Sequence, residues 1–225
     1  KIEACYQYIF NLSTPTQYNL EQLHAALASS KSAFADLSID IIGLLKDTFD
    51  LIYLINKSKF TYIEKGFIAP SQDETKILHS YYSYLSLVDM ARDSIKSLLD
   101  VNKSKALLLL QIMMIEGANT DNGYPVLSRI ALYLLDSNTD LTANDKMNLV
   151  WPTIKYWLYE TDCKQEASDF IKNIWLKLTQ EQKKKVWNEI RTRIKEIAKN
   201  NDNKNITNIE LCRRILWIRN VENKI

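Results

Sequence analysis

The sequence predicts an all-α protein. The 225-residue chain has only 4 Gly and 4 Pro, too few for the many tight turns of an all-β sandwich or barrel. Its 29 Leu and 25 Ile far outnumber its 6 Val, which disfavours strands. Capping boxes recur along the chain, each followed by apolar residues at helical spacing. We therefore expect a multi-helix array of about eight to ten helices, a long N-terminal helical hairpin packed with shorter helices, with a solenoid-like arrangement as one option.

The domain organisation follows from one polar segment. Residues 117–124 include two of the glycines and form the best linker in the chain, since Gly, Asn and Asp favour turns and loops. We expect residues 1–225 to form a single domain. The alternative is a subdivision into 1–117, the hairpin plus a central helix, and 118–225, an array of short helices with a basic C-terminus.

Residues 19–56 carry the clearest helical pattern. Apolar residues recur on two heptad positions, which predicts one helix, or two helices broken near Ser29 and Ser30. One row holds Leu20, Leu27, Phe34, Ile41 and Ile55, and the other holds Leu23, Leu37, Leu44 and Leu51. Asn19 and Gln22 form a capping box at the start. Both rows are expected to be buried against an antiparallel partner.

That partner is predicted at residues 72–100. Ser71 and Glu74 form its capping box. One face of the segment carries Ile77, Tyr81, Leu85, Val88, Ile95 and Leu98. The connection from Lys57 to Pro70 is then a long loop.

A third helix is predicted over Ser104–Glu116. This segment is apolar on nearly every side, which is typical of a helix surrounded by other helices. Gly117 is the expected residue just past its C-terminus. We therefore expect this helix to lie at the centre of the fold.

The remainder reads as successive short helices. Pro125 opens a helix that runs to about Asp136, Thr142 caps the next helix, and Pro152 forces a break after Trp151. Helices are expected near 153–160 and 164–178. Two more capping boxes, Thr179 with Gln182 and Thr207 with Glu210, predict helices over 180–199 and 207–220.

Cysteine usage and hydropathy bear on location. Cys5, Cys163 and Cys212 are an odd number at wide spacing, which fits neither a disulfide framework nor a zinc ribbon. We expect an intracellular protein, cytoplasmic or nuclear. The longest apolar run is too short for a transmembrane segment. The first residue is Lys rather than Met, which fits a trimmed or processed chain.

Catalytic motifs are missing from the sequence. It contains no phosphate-binding glycine loop, nucleophile elbow or H-E-x-x-H pattern, and we expect no cofactor and no metal. His24 and His79 are more typical of helix interfaces than of proton transfer. An enzyme whose site is assembled in space, from Cys5 or Cys163 with one of these histidines or from carboxylates, ranks third among the functions.

Four carboxylates share one face of the helix predicted over 19–56. They are Asp36, Asp40, Asp47 and Asp50. Such a row is compatible with a metal-binding or an acidic docking face. A solvated face opposite the apolar rows is the favoured interpretation.

Charge divides the chain unevenly. Residues 1–163 hold 14 Lys/Arg against 19 Asp/Glu, a net charge of −5, whereas residues 164–225 hold 15 against 8, a net charge of +7. On the helix predicted over 180–199, Glu181 with Lys185 and Glu189 with Arg193 are expected to form i,i+4 pairs. Its buried face is expected to hold Val186, Trp187, Ile190, Ile194 and Ile197.

The other polar positions of that helix form a candidate binding patch. Lys184, Asn188, Arg191, Lys195 and Lys199 follow one another at steps of four, three, four and four, without i,i+4 acidic partners. On the last helix Glu210 is expected to pair with Arg214, and Arg213 to stack on Trp217. All five tryptophans, Trp151, Trp157, Trp175, Trp187 and Trp217, lie in the second half and are expected first to anchor the core.

A non-enzymatic protein-interaction or scaffolding role ranks first, because helical arrays expose large grooved surfaces. Another protein is then the expected partner. The alternative is nucleic-acid or phosphate-ligand binding through residues 180–220, where the cationic row would track phosphates. A lysine-rich solvated surface would explain the same row without any ligand.

Overall fold

A computed structural model describes residues 17–56, 83–118, 123–159, 163–199 and 204–223. Within these ranges the chain is helical almost throughout and forms no strand, so the all-α multi-helix prediction is confirmed. The solenoid-like arrangement stays a prediction. None of the helices in these ranges is long and apolar enough to cross a membrane.

The chain divides into two compact units, Lys1–Leu110 and Gln111–Ile225. The first unit contains α1 (Gln17–Ala28), α2 (Lys31–Asp36), α3 (Ser38–Asn56) and α4 (Ser83–Val101). Helix α5 (Lys103–Gly117) begins in the first unit and ends in the second. Whether the chain acts as a single domain stays a prediction.

Helix α4 organises the first unit. Helices α1, α2 and α3 all pack against it, as the hairpin prediction requires. Val88, Ile95 and Leu98 on its predicted face are buried. The loop 57–70, the capping box at Ser71 and the side chains of Ile77, Tyr81 and Leu85 lie outside the described residues.

The predicted burial of both heptad rows is only half correct. Phe34 and Ile41 are buried, but Leu23, Leu37 and Leu44 are 46%, 37% and 50% exposed. The buried residues of α2 and α3 recur every three or four positions and form one face. A straight helix has 3.6 residues per turn, so the second row lies about a quarter turn from that face and is left in solvent.

The long N-terminal segment has two breaks. Residues Ser29 and Ser30 separate α1 from α2, so of the two alternatives the broken helix is confirmed. The second break, at Leu37, is slight, since the Leu37 amide still donates to the Ala33 carbonyl at 3.3 Å and the Ile41 amide to the Leu37 carbonyl at 2.9 Å. Helix α1 begins at Gln17, so the capping box at Asn19 is wrong.

Helix α5 buries only one of its faces. Leu110, Met113 and Met114 are buried, but Leu108, Ile112 and Ile115 are 60%, 42% and 52% exposed. The expected central position is therefore wrong, because the helix buries one face and leaves the other in solvent.

Gly117 is the last residue of α5 rather than the residue after it. A Cβ at this position would lie only 2.7 Å from the Ser128 amide nitrogen. Close packing, rather than helix termination, explains the glycine.

The second unit continues with short helices, largely as predicted. They are α6 (Pro125–Ser137), α7 (Ala143–Val150), α8 (Ile154–Tyr159), α9 (Lys164–Ile174), α10 (Gln180–Lys199) and α11 (Lys204–Glu222). Pro125 opens α6, and the Thr142 hydroxyl caps α7 by accepting from the Asp145 amide at 3.2 Å. Pro152 lies in a 3₁₀ turn. Helix α11 begins three residues before Thr207, so that capping box is wrong.

Helix α6 is the centre of the second unit and packs on α9. Every residue from Val126 to Leu132 is buried, including Arg129. The Arg129 guanidinium donates from Nη2 to Glu166 Oε1 on α9 at 2.7 Å, and the two side chains are 3% and 7% exposed. The pair compensates two charges that would otherwise be costly to bury.

Two tryptophans anchor this unit, as predicted. Trp157 and Trp175 are completely buried. Trp157 donates to the Val150 carbonyl at 2.9 Å and meets Phe170 edge to face. Trp175 donates to Glu222 at 3.0 Å and so ties α11 to the end of α9.

Candidate binding face on helix α10

Helix α10 lies on the second unit with one face buried. Gln182, Val186 and Ile190 are its buried residues. The Gln182 amide donates to Thr179 Oγ1 at 3.3 Å, as the capping box predicts, but its side chain donates to Asn148 Oδ1 at 2.6 Å. The contact with Asn148 replaces the second half of the box and places Gln182 on the buried face of the helix.

The predicted cationic row lies on the opposite face. Lys184, Asn188, Arg191 and Lys195 are all exposed, and Arg191 Nη1 donates to Asn188 Oδ1 at 3.3 Å. With a rise of 1.5 Å per residue, Lys184 and Lys195 are about 16 Å apart along the axis. The side chain of Lys199 lies outside the described residues.

Within the described ranges, Lys184, Arg191 and Lys195 form no ion pair. Of the two predicted pairs, Glu181 with Lys185 is confirmed at 3.1 Å. The pair of Glu189 with Arg193 is wrong, because Arg193 Nη1 instead contacts Glu196 Oε2 at 3.2 Å. Three acids, Glu181, Glu189 and Glu196, nevertheless stay together on the flank of α10 away from Trp187.

Arg193 also lies 5.7 Å from the ring centre of Tyr159 on α8, a cation–π distance. Burial raises the pKa of the Tyr159 phenol and Glu189 raises it further, while Arg193 opposes the shift. This contact places the Arg193 guanidinium beside Tyr159 rather than Glu189. It also removes Arg193 from the exposed row.

The opposite flank of the cationic row is apolar. Ile194 is 41% exposed, so its predicted burial is wrong. Trp187 is partly buried and meets Trp175 edge to face at 6.1 Å. Lys183 Nζ lies 6.0 Å from the Trp175 ring. Trp187 and Ile194 are seven residues apart and therefore form a short apolar row beside the cations.

We call Lys184, Arg191 and Lys195 with Trp187 and Ile194 the α10 face. Successive residues of a helix are about 100° apart around its axis. The cationic row therefore has the apolar row on one side, about 70° away, and the acids on the other side. A surface of this kind is complementary to a ligand that carries negative charge along one edge and apolar groups along the other.

Helix α11 adds less to this surface than predicted. Arg213 is exposed and Trp217 is partly buried, and their stacking stays a prediction. Ile218 and Val221 are buried. The side chains of Glu210 and Arg214 lie outside the described residues, so their pairing also stays a prediction.

The acidic row of the first unit is exposed. Asp36, Asp40, Asp47 and Asp50 all face solvent on α2 and α3. No group of three or more His, Cys, Asp or Glu side chains in the described ranges is arranged to hold a metal ion. Cys163 is buried and Cys212 is exposed.

A charged cluster connects α1 to α4. His24 Nε2 lies 3.1 Å from Asp93 Oδ2, and His24 also packs against Phe34, which confirms its predicted place in an interface. Arg92, only 5% exposed, donates to Asp93 at 2.7 Å and also contacts Asp89. Burial alone would raise the pKa of Asp93, but hydrogen bonds from His24 and Arg92 lower it to about 2.

His79 and Cys5 lie outside the described residues.

No protein-family model, curated protein or solved structure matches the chain. The interpretation of the α10 face as a binding surface therefore depends on its geometry alone. The spacing of the cations predicts their row. It does not predict the apolar row, because Ile194 follows Ile190 by four residues and so matches the spacing of the buried face. Gln182 is the residue that completes the buried face instead, and its partner Asn148 is not visible from local spacing.

Proposed function

We propose that this chain is a non-enzymatic protein-interaction or scaffolding domain, intracellular, whose binding surface is the α10 face. One observation supports the proposal above the others. Three exposed cations without an ion-pair partner among the described residues lie beside Ile194, which is 41% exposed. Protein interfaces combine an apolar centre with a polar rim, and this face offers both on one helix.

The small number of possible phosphate contacts favours a protein partner over nucleic acid. Each phosphate contact on duplex contributes about 0.9 to the slope of log affinity against log salt, so three contacts lose only about 40-fold between about 50 and 200 mM salt. A protein that makes six to ten phosphate contacts loses about 10³- to 10⁵-fold over the same range of salt. Glu181, Glu189 and Glu196 also restrict the cationic surface to a single row. The apolar row adds nothing to phosphate binding, whereas it adds buried area to a protein interface.

The test is a capture experiment with matched variants. The basic-face variant Lys184→Gln, Arg191→Gln, Lys195→Gln removes three charges. The control Lys155→Gln, Lys172→Gln, Lys177→Gln removes three lysines elsewhere in the second unit. Full-length tagged chains are incubated with nuclease-treated extract, and the bound proteins are compared by quantitative mass spectrometry.

We expect a defined set of proteins to be retained by the wild type and the control and lost by the basic-face variant. Equal retention by all three chains would contradict the proposal. Fluorescence anisotropy with single-stranded and duplex oligonucleotides separates the alternative function. Binding at low salt that the basic-face variant loses and the control keeps would favour nucleic acid instead.

A further inference from the structure

The first unit carries a second helix face of similar design and opposite charge. On α2 and α3, Asp36, Asp40 and Asp47 are exposed and form no ion pair within the described ranges. Beside them lie Leu37 and Leu44, 37% and 50% exposed. Leu37 keeps a right-handed helical conformation (φ −81°, ψ −2°), and buried residues recur every three or four positions on both sides of it, so these five residues keep approximately helical spacing. We call them the α3 face.

The α3 face and the α10 face have matching rows. Each has three charges spanning twelve residues and two apolar side chains seven residues apart. At about 100° per residue, the acidic row lies about 70° from the leucine row, and the cationic row lies about 70° from the row of Trp187 and Ile194. Both the spacing along the axis and the angle around it therefore agree.

The handedness of the helix determines how the rows can meet. Seen from outside with the N-terminus down, the acids lie to the left of the leucines on α3. In the same view the cations lie to the right of Trp187 and Ile194 on α10. Left and right are exchanged between two surfaces that face each other. When the two helices run parallel, the leucine row therefore meets the row of Trp187 and Ile194, and the acidic row meets the cationic row.

A single axial alignment of α3 with α10 brings all five residues of one face close to those of the other. When Leu37 is level with Trp187, Leu44 is level with Ile194, because both pairs differ by 150 in residue number. Lys184, Arg191 and Lys195 then lie within about 3 Å, along the axis, of Asp36, Asp40 and Asp47 respectively. Long cationic side chains span such an offset easily. Opposite charges flanking an apolar pair are the arrangement that selects partners in coiled coils.

We propose that the α10 face binds the α3 face of a second copy of this chain. This inference rests on the proposed function, since it names the occupant of the same surface. The contact is heterologous, because each copy uses a different face, and it therefore generates rings or open chains rather than a closed symmetric dimer. Its small size and exposed charges make it a transient, salt-sensitive contact.

The test is sedimentation velocity on the full chain over a range of concentrations at low and high salt. The acid-face variant carries Asp36→Asn, Asp40→Asn and Asp47→Asn, and it is compared with the basic-face variant and the lysine control defined above. The substitutions lie on exposed faces, and circular dichroism confirms that each variant keeps its helix content. The decisive sample is an equimolar mixture of the two face variants.

We expect the wild type and the control to associate as concentration rises and to dissociate at high salt. Each face variant alone should remain monomeric. Their mixture should form a 1:1 complex and nothing larger, since one intact face remains on each chain. That result is specific to the proposed pairing, because neutral substitutions create no new attraction.

Three results would overturn the inference. They are a wild type that stays monomeric at every concentration, association that survives in the acid-face variant, and a mixture that stays monomeric. If the basic-face variant still loses its captured proteins in these cases, the proposed function stands and only the occupant is wrong. If capture is also unchanged, both proposals fail.

Discussion

Helices α5 and α6 show that hydrophobicity alone does not locate the core. Helix α5 has the more continuous apolar sequence, yet Leu108, Ile112 and Ile115 are exposed. Helix α6 contains Ser128 and Arg129, yet both are buried. The difference lies in partners, because Ser128 donates to the Met114 carbonyl at 3.3 Å and Arg129 pairs with Glu166. A polar side chain with a partner can occupy the centre of a fold, whereas a leucine without a neighbour remains in solvent.

The largest expected effect is on the buried pair of α6. Glu166→Ala removes the carboxylate that Arg129 contacts and should lower the free energy of unfolding by about 3–5 kcal/mol. The double variant Arg129→Met, Glu166→Leu should recover most of the loss, since no charge then remains buried at this position. Urea denaturation measures both changes. A loss below about 1 kcal/mol for the single variant would show that solvent reaches the pair.

Leucine truncations compare the two helices directly. Leu135→Ala in α6 and Leu110→Ala in α5 remove fully buried side chains and should each cost about 2–5 kcal/mol. Leu108→Ala, at a position 60% exposed, should change the free energy of unfolding by no more than about 0.5 kcal/mol. Equal costs for Leu108 and Leu110 would mean that α5 is surrounded after all.

A pair of glycine substitutions tests the close approach of α5 and α6. Gly117→Ala should destabilise by about 1–3 kcal/mol, since the new methyl group collides with Ser128. Gly43→Ala, in α3, meets no atom within 4 Å and should stabilise by about 0.4–1 kcal/mol. Thermal unfolding of the two variants should therefore shift in opposite directions. Stabilisation by Gly117→Ala would show that α5 and α6 separate easily.

The partly exposed cluster of Asp93, His24 and Arg92 should contribute less to the free energy of unfolding than the buried pair of Arg129 and Glu166. The pKa of Asp93 is lowered to about 2, and 3.8 is the ordinary value, so this carboxylate stabilises the fold above pH 3.8. That contribution, up to about 2 kcal/mol, is lost as pH falls towards 2. Asp93→Asn should flatten the dependence of unfolding free energy on pH in this range. An unchanged slope would show that the folded pKa of Asp93 is ordinary.

Much of the secondary structure could be predicted from sequence because its signals are local. Pro125 and Thr142 begin helices by restricting or bonding backbone within a few residues. At the break between α1 and α2 the local signal is Ser29, whose hydroxyl donates to the Ala26 carbonyl at 2.6 Å. The wrong helix starts, at Asn19 and Thr207, are also local, since helix ends are the least sharply specified positions.

Burial could be predicted less well because it depends on distant contacts. Leu44 and Ile194 lie at spacings that predict burial, but the buried face of each helix lies to one side of them. The cations of the α10 face were identified from spacing alone. Their apolar flank is not predicted in this way, because the buried face of α10 includes Gln182, whose partner Asn148 is 34 residues away.

The distribution of tryptophan makes the two units optically distinct. All five tryptophans lie in Gln111–Ile225, and residues 1–110 contain tyrosine but no tryptophan. Selective excitation of indole therefore reports on the second unit alone, and the edge-to-face pair of Trp175 and Trp187 places a reporter beside the α10 face. Circular dichroism reports on both units together. Unfolding curves from the two methods that fail to coincide would reveal two cooperative transitions in the unmodified chain, without any introduced label.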